Sequence, residues 1–411
     1  MTVDPGNLPP EGPEEAAQHG TLIASIALKQ RAGGIIVPIL TALIAFLIGG
    51  LVVLATGHDP ISAYRDIFNG AGLNWIFHPT TDVVDTSAYN LSQTLLQTTT
   101  LILCGLAVAF AFRCGMFNIG GQGQYFIGLY IANWLGHDFA GMNPVTHVLL
   151  AVAAATLGGA VWAGIAGFLK AAVGAHEVIS TIMLNWIAIW VGSWLFGDGG
   201  PLQNPANATA PISNDIANSA KLPVFWGQQE LQGLHIGFFV ALAALVVFWA
   251  LLNRTTLGYE VRAVGFNPDA AGYGGINVRK NLIRAMAISG AFAGLAGALD
   301  MLGYLYHYGQ SDIPVSQVGF LGIAVALLGR NTAIGTGIAA LLFGALLFGT
   351  THGLQSGVSS IDPGLAGNLT YIIQGLIVLF VGADVLILYV WNSRRRLRGR
   401  SRQARSAEAP A

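Results

Sequence analysis

Charge is what this sequence has least of. Only 9% of its 411 residues are Asp, Glu, Lys or Arg, against about 25% in a soluble domain. The deficit runs along nearly the whole chain, so lipid is the natural solvent for most of it. Disorder is excluded for the body by a hydrophobic content of 54%, because disordered chains lack apolar residues. Cysteine is nearly absent as well. Cys104 and Cys114 sit near the ends of one apolar segment with no metal-ligand spacing around them, so they read as small buried hydrophobes. No Gly-x-x-x-x-Gly-Lys-Ser/Thr occurs, and none of Lys29, Lys170, Lys221 and Lys280 follows a glycine. Without that phosphate-cradling loop the chain is not expected to hydrolyse ATP by itself. His-Glu-x-x-His and Gly-x-Ser-x-Gly are missing too, which leaves an enzyme without a motif.

What is present is a series of apolar runs and 54 glycines. In a bilayer, glycine lets helix backbones approach closely. A spanning helix needs about 20 mostly apolar residues, and ten candidates meet or approach that length: 33–56, 89–112, 117–136, 145–169, 178–196, 234–252, 283–305, 316–329, 333–352 and 366–390. The eighth is short, either a half-helix or an extension of the ninth, so the count lies between eight and ten. The expected fold is an all-α polytopic membrane protein with a transmembrane domain over 33–390. The flanks are an N-terminal tail, 1–32, that is not a signal peptide, and a basic tail, 391–411. A threading with both termini inside puts 17 of the 19 Lys and Arg residues on the inner side, leaving only Arg65 and Lys221 outside, as the positive-inside rule demands. It makes 57–88 and 197–233 outer loops and 253–282 an inner loop. The loop 197–233 separates two sets of five spans, and an odd number per set gives two inverted halves. The arginines from Arg394 to Arg405 read as an anchor to anionic lipid and not as a nucleic-acid contact.

Four stretches carry more than bulk hydrophobicity. Gly115 to Tyr125 packs Asn118, Gln122, Gln124 and four glycines into the start of the third span. Amides in hydrocarbon must be satisfied. They either line a pathway or bond helices together, and the sequence leaves both readings open. In His176 to Trp186, Glu177, Thr181 and Asn185 recur every four residues and share one helix face. In Gly258 to Ile276, two short helices separated by Gly265 are expected, with Asn267 as a cap, Pro268 in the first turn and Asp269 facing the helix dipole. The spans around 289–298 and 319–330 are glycine-rich packing surfaces. Asp300, an acid inside a span, is expected to face a water-filled cavity.

Together these stretches resemble the permease subunits of ABC importers of the branched-chain-amino-acid and sugar type, most closely the nucleoside permeases, over roughly 35–390. Phe117-Asn118-Ile119-Gly120 with Gly123-Gln124 is the most specific match, followed by Glu177-Val178-Ile179-Ser180-Thr181 with Met183-Leu184-Asn185, and by Ile323 to Arg330. The resemblance implies that Gly265, Asn267, Pro268, Ala270, Ala271, Gly275 and Ile276 belong to an ATPase-coupling segment. It places Asn118, Gln122, Gln124, Glu177, Thr181 and Asn185 along the substrate pathway. It further implies a cytoplasmic ABC ATPase that carries the ATP, a second permease subunit, a substrate-binding lipoprotein, and residence in a bacterial cytoplasmic membrane. The cargo it implies is a nucleoside, with a ribose- or galactose-type sugar as the alternative. An ion-driven carrier or a channel is the reading from another class. The sequence departs from the family pattern at Gln122, where many relatives have Glu, at His176, where they have Asn, and at Thr332-Ala333, where a proline is usual.

Overall fold

A computed structural model describes residues 39–40, 42–79, 86–207, 210–356, 368, 371–376 and 379. Within them the chain is helical almost throughout. The helices are α1 (Ala42–Ala55), α2 (Pro60–Gly70), α3 (Thr86–Arg113), α4 (Gly121–Asp138), α5 (Pro144–Val173), α6 (Glu177–Phe196), α7 (Gly237–Arg254), α8 (Thr256–Phe266), α9 (Pro268–Tyr273), α10 (Val278–Asp300), α11 (Val318–Leu328) and α12 (Ala333–Ser356). A small antiparallel pair, β1 (Val224–Trp226) and β2 (Leu234–His235), lies between α6 and α7.

Among the described residues six helices are long and apolar enough to cross a membrane, namely α3, α5, α6, α7, α10 with its extension, and α12; α1 and α2 add a seventh if that bent pair, meeting at 117°, is one span. The protein is therefore a multi-pass membrane protein. Of the two alternatives for the eighth span, the structure takes the half-helix: α11 stops after 11 residues because Arg330 and Asn331 both take left-handed backbone angles, φ +52° and +53°. The third begins only at Gly121, since Asn118 to Gly120 form a turn. Most of the expected tenth span, 366–390, lies outside the described residues, as do both tails.

The core is built around α3, whose apolar stretch is buried on almost every side. Helices α10, α11 and α12 pack along it, and α10 in turn packs most extensively on α5. That last contact is made backbone to backbone. A Cβ on Gly290 would meet the Gly159 carbonyl oxygen at 2.2 Å, which is the close approach that small residues permit between spans. Helix α2, expected in an outer loop, folds back along α12 and buries Ala63, Asp66, Ile67 and Gly70.

The two ends of the bundle differ in chemistry. At one end, contacts gather the last turn of α3, the last turn of α5, the pair α8–α9, the first turn of α10 and the α11–α12 turn. Eight of the ten Lys and Arg residues in the described segments sit there, Arg65 and Lys221 being the exceptions. At the other end, residues 211–222 form a seam on the segment that follows α10. Leu222 N–H donates to the Leu302 carbonyl at 2.8 Å, Ile216 N–H to Tyr306 at 3.0 Å and Ser213 N–H to Tyr308 at 2.9 Å. These carbonyls are free to accept because α10 ends in a single π turn, Met301–Leu305.

Candidate functional site

Five of the six expected pathway residues converge on the start of α4. Asn118 sits in the turn before the helix and its Oδ1 accepts from Gly120 N–H at 2.9 Å. Its Nδ2 donates to Gln124 Oε1 at 2.9 Å and to Ser289 Oγ at 2.7 Å. Ser289, on α10, passes its own proton to the Ala107 carbonyl of α3 at 2.5 Å. Gln124 Nε2 closes the ring on Asn118 Oδ1 at 3.0 Å. From α6, Asn185 accepts from Gly123 N–H at 2.8 Å and donates to the Ile119 carbonyl at 2.9 Å. Toward α11, Gln122 Oε1 accepts from Gly319 N–H at 2.6 Å and its Nε2 donates to Ser316 Oγ at 3.2 Å. Thr181 packs beside Gly120 and bonds the Glu177 carbonyl at 2.8 Å.

This hub is buried and internally paired. Asn118, Gln122, Gln124, Thr181 and Asn185 are all at most 2% exposed. Helix starts leave backbone N–H groups without helical partners, and here Asn118 and Asn185 take up two of them, at Gly120 and Gly123. The sixth residue, Glu177, stands apart. It begins α6 and pairs with Lys170 Nζ across the α5–α6 turn at 2.9 Å.

The expected coupling residues lie at the basic end. Helix α8 runs through Gly265, and the break falls at Asn267, whose extended backbone (φ −159°, ψ 105°) and side chain cap α9 by accepting from Ala270 N–H at 3.0 Å. The expected separation at Gly265 is thus corrected: the capping side chain, not the glycine, sets the break. Pro268 opens α9 and Asp269 lies in its first turn. Asn267, Pro268, Ala270 and Gly275 are exposed, Gly265 and Ile276 half-buried, and Ala271 is buried against the bundle. The surface itself is made by residues outside the expected set: Phe266 is 90% exposed and Tyr273 is 96% exposed. Tyr273 and Asp269 border an open groove completed by Pro268, Gly272, Val278 and Arg279. Two large aromatics in a polar loop were the available signal.

Asp300 does not face a cavity. It is 1% exposed, and it accepts from Thr100 Oγ1 at 2.5 Å, from the Tyr125 hydroxyl at 2.8 Å and from the Tyr304 hydroxyl. Among the described residues no group of His, Cys, Asp and Glu could hold a metal ion. Arg113 is a further residue missed from sequence. Its Nε and Nη2 donate to the Asn331 carbonyl at 2.9 and 2.7 Å and so fasten the end of α3 to the α11–α12 turn.

Comparison with known proteins gives the family. Residues 90–382 match the family described as branched-chain amino acid transport system / permease component. The guanosine ABC transporter permease protein NupP of Bacillus subtilis is 37% identical over 90% of this chain and 99% of its own length. The nucleoside ABC transporter permease protein NupB of Lactococcus lactis is 32% identical over 86% of this chain and 92% of its own. The glucose ABC transporter permease protein TsgB13 of Haloferax volcanii is 32% identical over 84% and 86%. No solved structure matches. On the extent of these matches, the chain belongs to the branched-chain-amino-acid-type family of membrane transport permeases.

Proposed function

We propose that this chain is the membrane-spanning permease subunit of an ABC importer that carries nucleosides into the cell. The observation that carries the substrate is the near end-to-end similarity to permeases named for guanosine and nucleosides. A glucose permease at 32% identity keeps a sugar as the second reading. The exposed pair α8–α9 supports an ATPase partner, since it presents Phe266 and Tyr273 to solvent at the basic end of a chain without a nucleotide-binding loop of its own. Under this reading α8–α9 docks on a cytoplasmic ATPase, and ATP is bound and split there. A second permease subunit completes the pore and a lipoprotein delivers the cargo.

The same reading threads ten spans with both termini inside and relates two halves of five by inversion. The clustering of eight basic residues at one end supports the orientation. The pathway runs beside the start of α4. Asn118, Gln122, Gln124, Thr181 and Asn185 frame it by fixing that helix start, and Glu177 marks its inner mouth. On α6, Trp186 and Trp190 are exposed and offer flat faces to a base. Uptake of labelled nucleosides and labelled ribose by the whole complex, with and without this subunit, tests the proposal. Loss of nucleoside uptake on deletion is expected. Loss of ribose uptake with nucleoside uptake intact moves the cargo to the sugars, and uptake that persists without ATP removes the ABC assignment.

A further inference from the structure

We propose that Gly115 and Gly265 form the contact through which movement of the α8–α9 pair reaches the start of α4, which makes Gly115 a positioning residue for transport. The inference rests on the reading of α8–α9 as the ATPase-docking segment and adds the route by which docking acts on the helix bundle.

Helix α3 ends in a glycine cap. Gly115 N–H donates to the Phe112 carbonyl at 3.0 Å and Met116 N–H to Ala111 at 3.1 Å, with Gly115 at φ +75°. This is the left-handed closing turn that favours glycine. The space a side chain would need is taken by Gly265. A Cβ on Gly115 would meet the Gly265 Cα at 3.3 Å, and a Cβ on Gly265 would meet the Arg113 carbonyl oxygen at 2.3 Å and the Gly115 nitrogen at 3.0 Å. Two backbones therefore touch with no side chain between them. A side chain absorbs a push by changing rotamer; close-packed main chain passes it on.

Both ends of this contact lead somewhere. Gly265 precedes Phe266, one of the two exposed aromatics of the docking surface. Gly115 lies three residues before Asn118, whose amide ties the α4 start to α10 through Ser289 and whose neighbours Gln122 and Gly123 tie it to α11 and α6. A second strut holds α8 in line: Asn281, in the first turn of α10, donates from Nδ2 to Glu260 Oε2 at 2.8 Å. Helix α8 is thus braced against the end of α3 and the start of α10, and a displacement at Phe266 is delivered to the hub that orients four helices.

The test uses the complete complex in proteoliposomes, with ATP hydrolysis and nucleoside uptake measured together. Gly115→Ala is expected to keep the ATPase bound and hydrolysing within about twofold of the unaltered complex, while uptake falls by about tenfold or more. Gly174→Ala controls for backbone strain: Gly174 has φ +70° with nothing within 4 Å of its Cβ position. It is expected to leave both readings within about twofold. Uptake by Gly115→Ala at the level of Gly174→Ala overturns the relay. So does loss of ATPase binding in Gly115→Ala, which would make the contact part of docking. Should that variant fail to accumulate, hydrogen exchange on the unaltered complex decides. A non-hydrolysable ATP analogue is expected to change exchange at 115–124 along with 258–276, and a change confined to 258–276 overturns the proposal. Failure of the underlying reading shows separately, as an ATPase that stays bound when Phe266→Glu and Tyr273→Ala are combined.

Discussion

Asn185 on α6 bridges the start of α4, accepting a hydrogen bond from Gly123 N–H at 2.8 Å and donating one to the Ile119 carbonyl at 2.9 Å. One amide side chain thus satisfies a donor and an acceptor of another helix in a site 2% exposed. Asn185→Leu fills similar volume and leaves both groups unpaired. Each such group costs about 1–3 kcal/mol, so a marked drop in thermal midpoint in detergent and in membrane abundance is expected. Asn185→Asp retains the acceptor for Gly123 and is expected to fall between the two. An Asn185→Leu protein as stable as the parent would show that the bridge contributes nothing.

The aromatic pair at the basic end behaves oppositely. Phe266 and Tyr273 make little contact with the rest of the chain, being 90% and 96% exposed, so Phe266→Glu and Tyr273→Ala should change the thermal midpoint of the isolated subunit very little. Surface changes of this kind stay within about 0.5 kcal/mol. Co-purification with the ATPase is expected to weaken by about tenfold or more, as for an aromatic anchor at an interface. Ala271→Arg, by contrast, places a charge at a position buried against the bundle and is expected to lower stability before it affects docking. Normal ATPase recovery with the two aromatic changes combined would place docking elsewhere.

The contrast marks where the sequence is readable. Long apolar runs announce α3, α5, α6, α7, α10 and α12 because each satisfies its backbone internally and meets lipid or apolar neighbours. Local capping chemistry was readable as well, since Asn267 and Pro268 act within their own turn. What the sequence hid are the partners of polar side chains. Asn118 bonds Ser289 across 171 residues and Arg113 bonds Asn331 across 218, and no local pattern encodes such distances. The folding back of α2 onto α12 shares that origin, since the surface it packs on comes from far along the chain.

His235, the last residue of β2, is expected to give the molecule a pH dependence. Its Nδ1 accepts from Gly237 N–H at 3.1 Å and its ring is 1% exposed. Burial pushes the imidazole down from its ordinary value of 6.5 to about 4. The unfolded chain therefore takes up a proton near pH 6.5 that the folded protein refuses until about pH 4. Stability is complete above the higher value, declines as pH falls between the two, and levels off below the lower one. The full loss amounts to roughly 3 kcal/mol. Thermal midpoints measured from pH 7.5 to 4.5 should decline more steeply for the parent than for His235→Gln. Parallel slopes would assign the pH dependence to other groups.

Asp300 supplies the sharpest discrimination between a structural acid and one that works with solvent. Its carboxyl gathers hydroxyls from three elements: Thr100 of α3, Tyr125 of α4 and Tyr304 in the π turn after α10. Those three hydroxyls are what hold the carboxyl in a buried site. Removing the acceptor leaves three buried donors stranded, and each unsatisfied group costs about 1–3 kcal/mol. Asp300→Leu is accordingly expected to remove most of the folded protein from the membrane. Asp300→Asn keeps one carbonyl oxygen as acceptor and brings an NH₂ that the hydroxyl oxygens can accept once they rotate. It is expected to retain most of the abundance and, once inserted, uptake with an unchanged dependence on external pH. Uptake by Asp300→Asn that loses or shifts its pH dependence would show instead that the carboxyl exchanges protons during transport, and the purely structural assignment would fall.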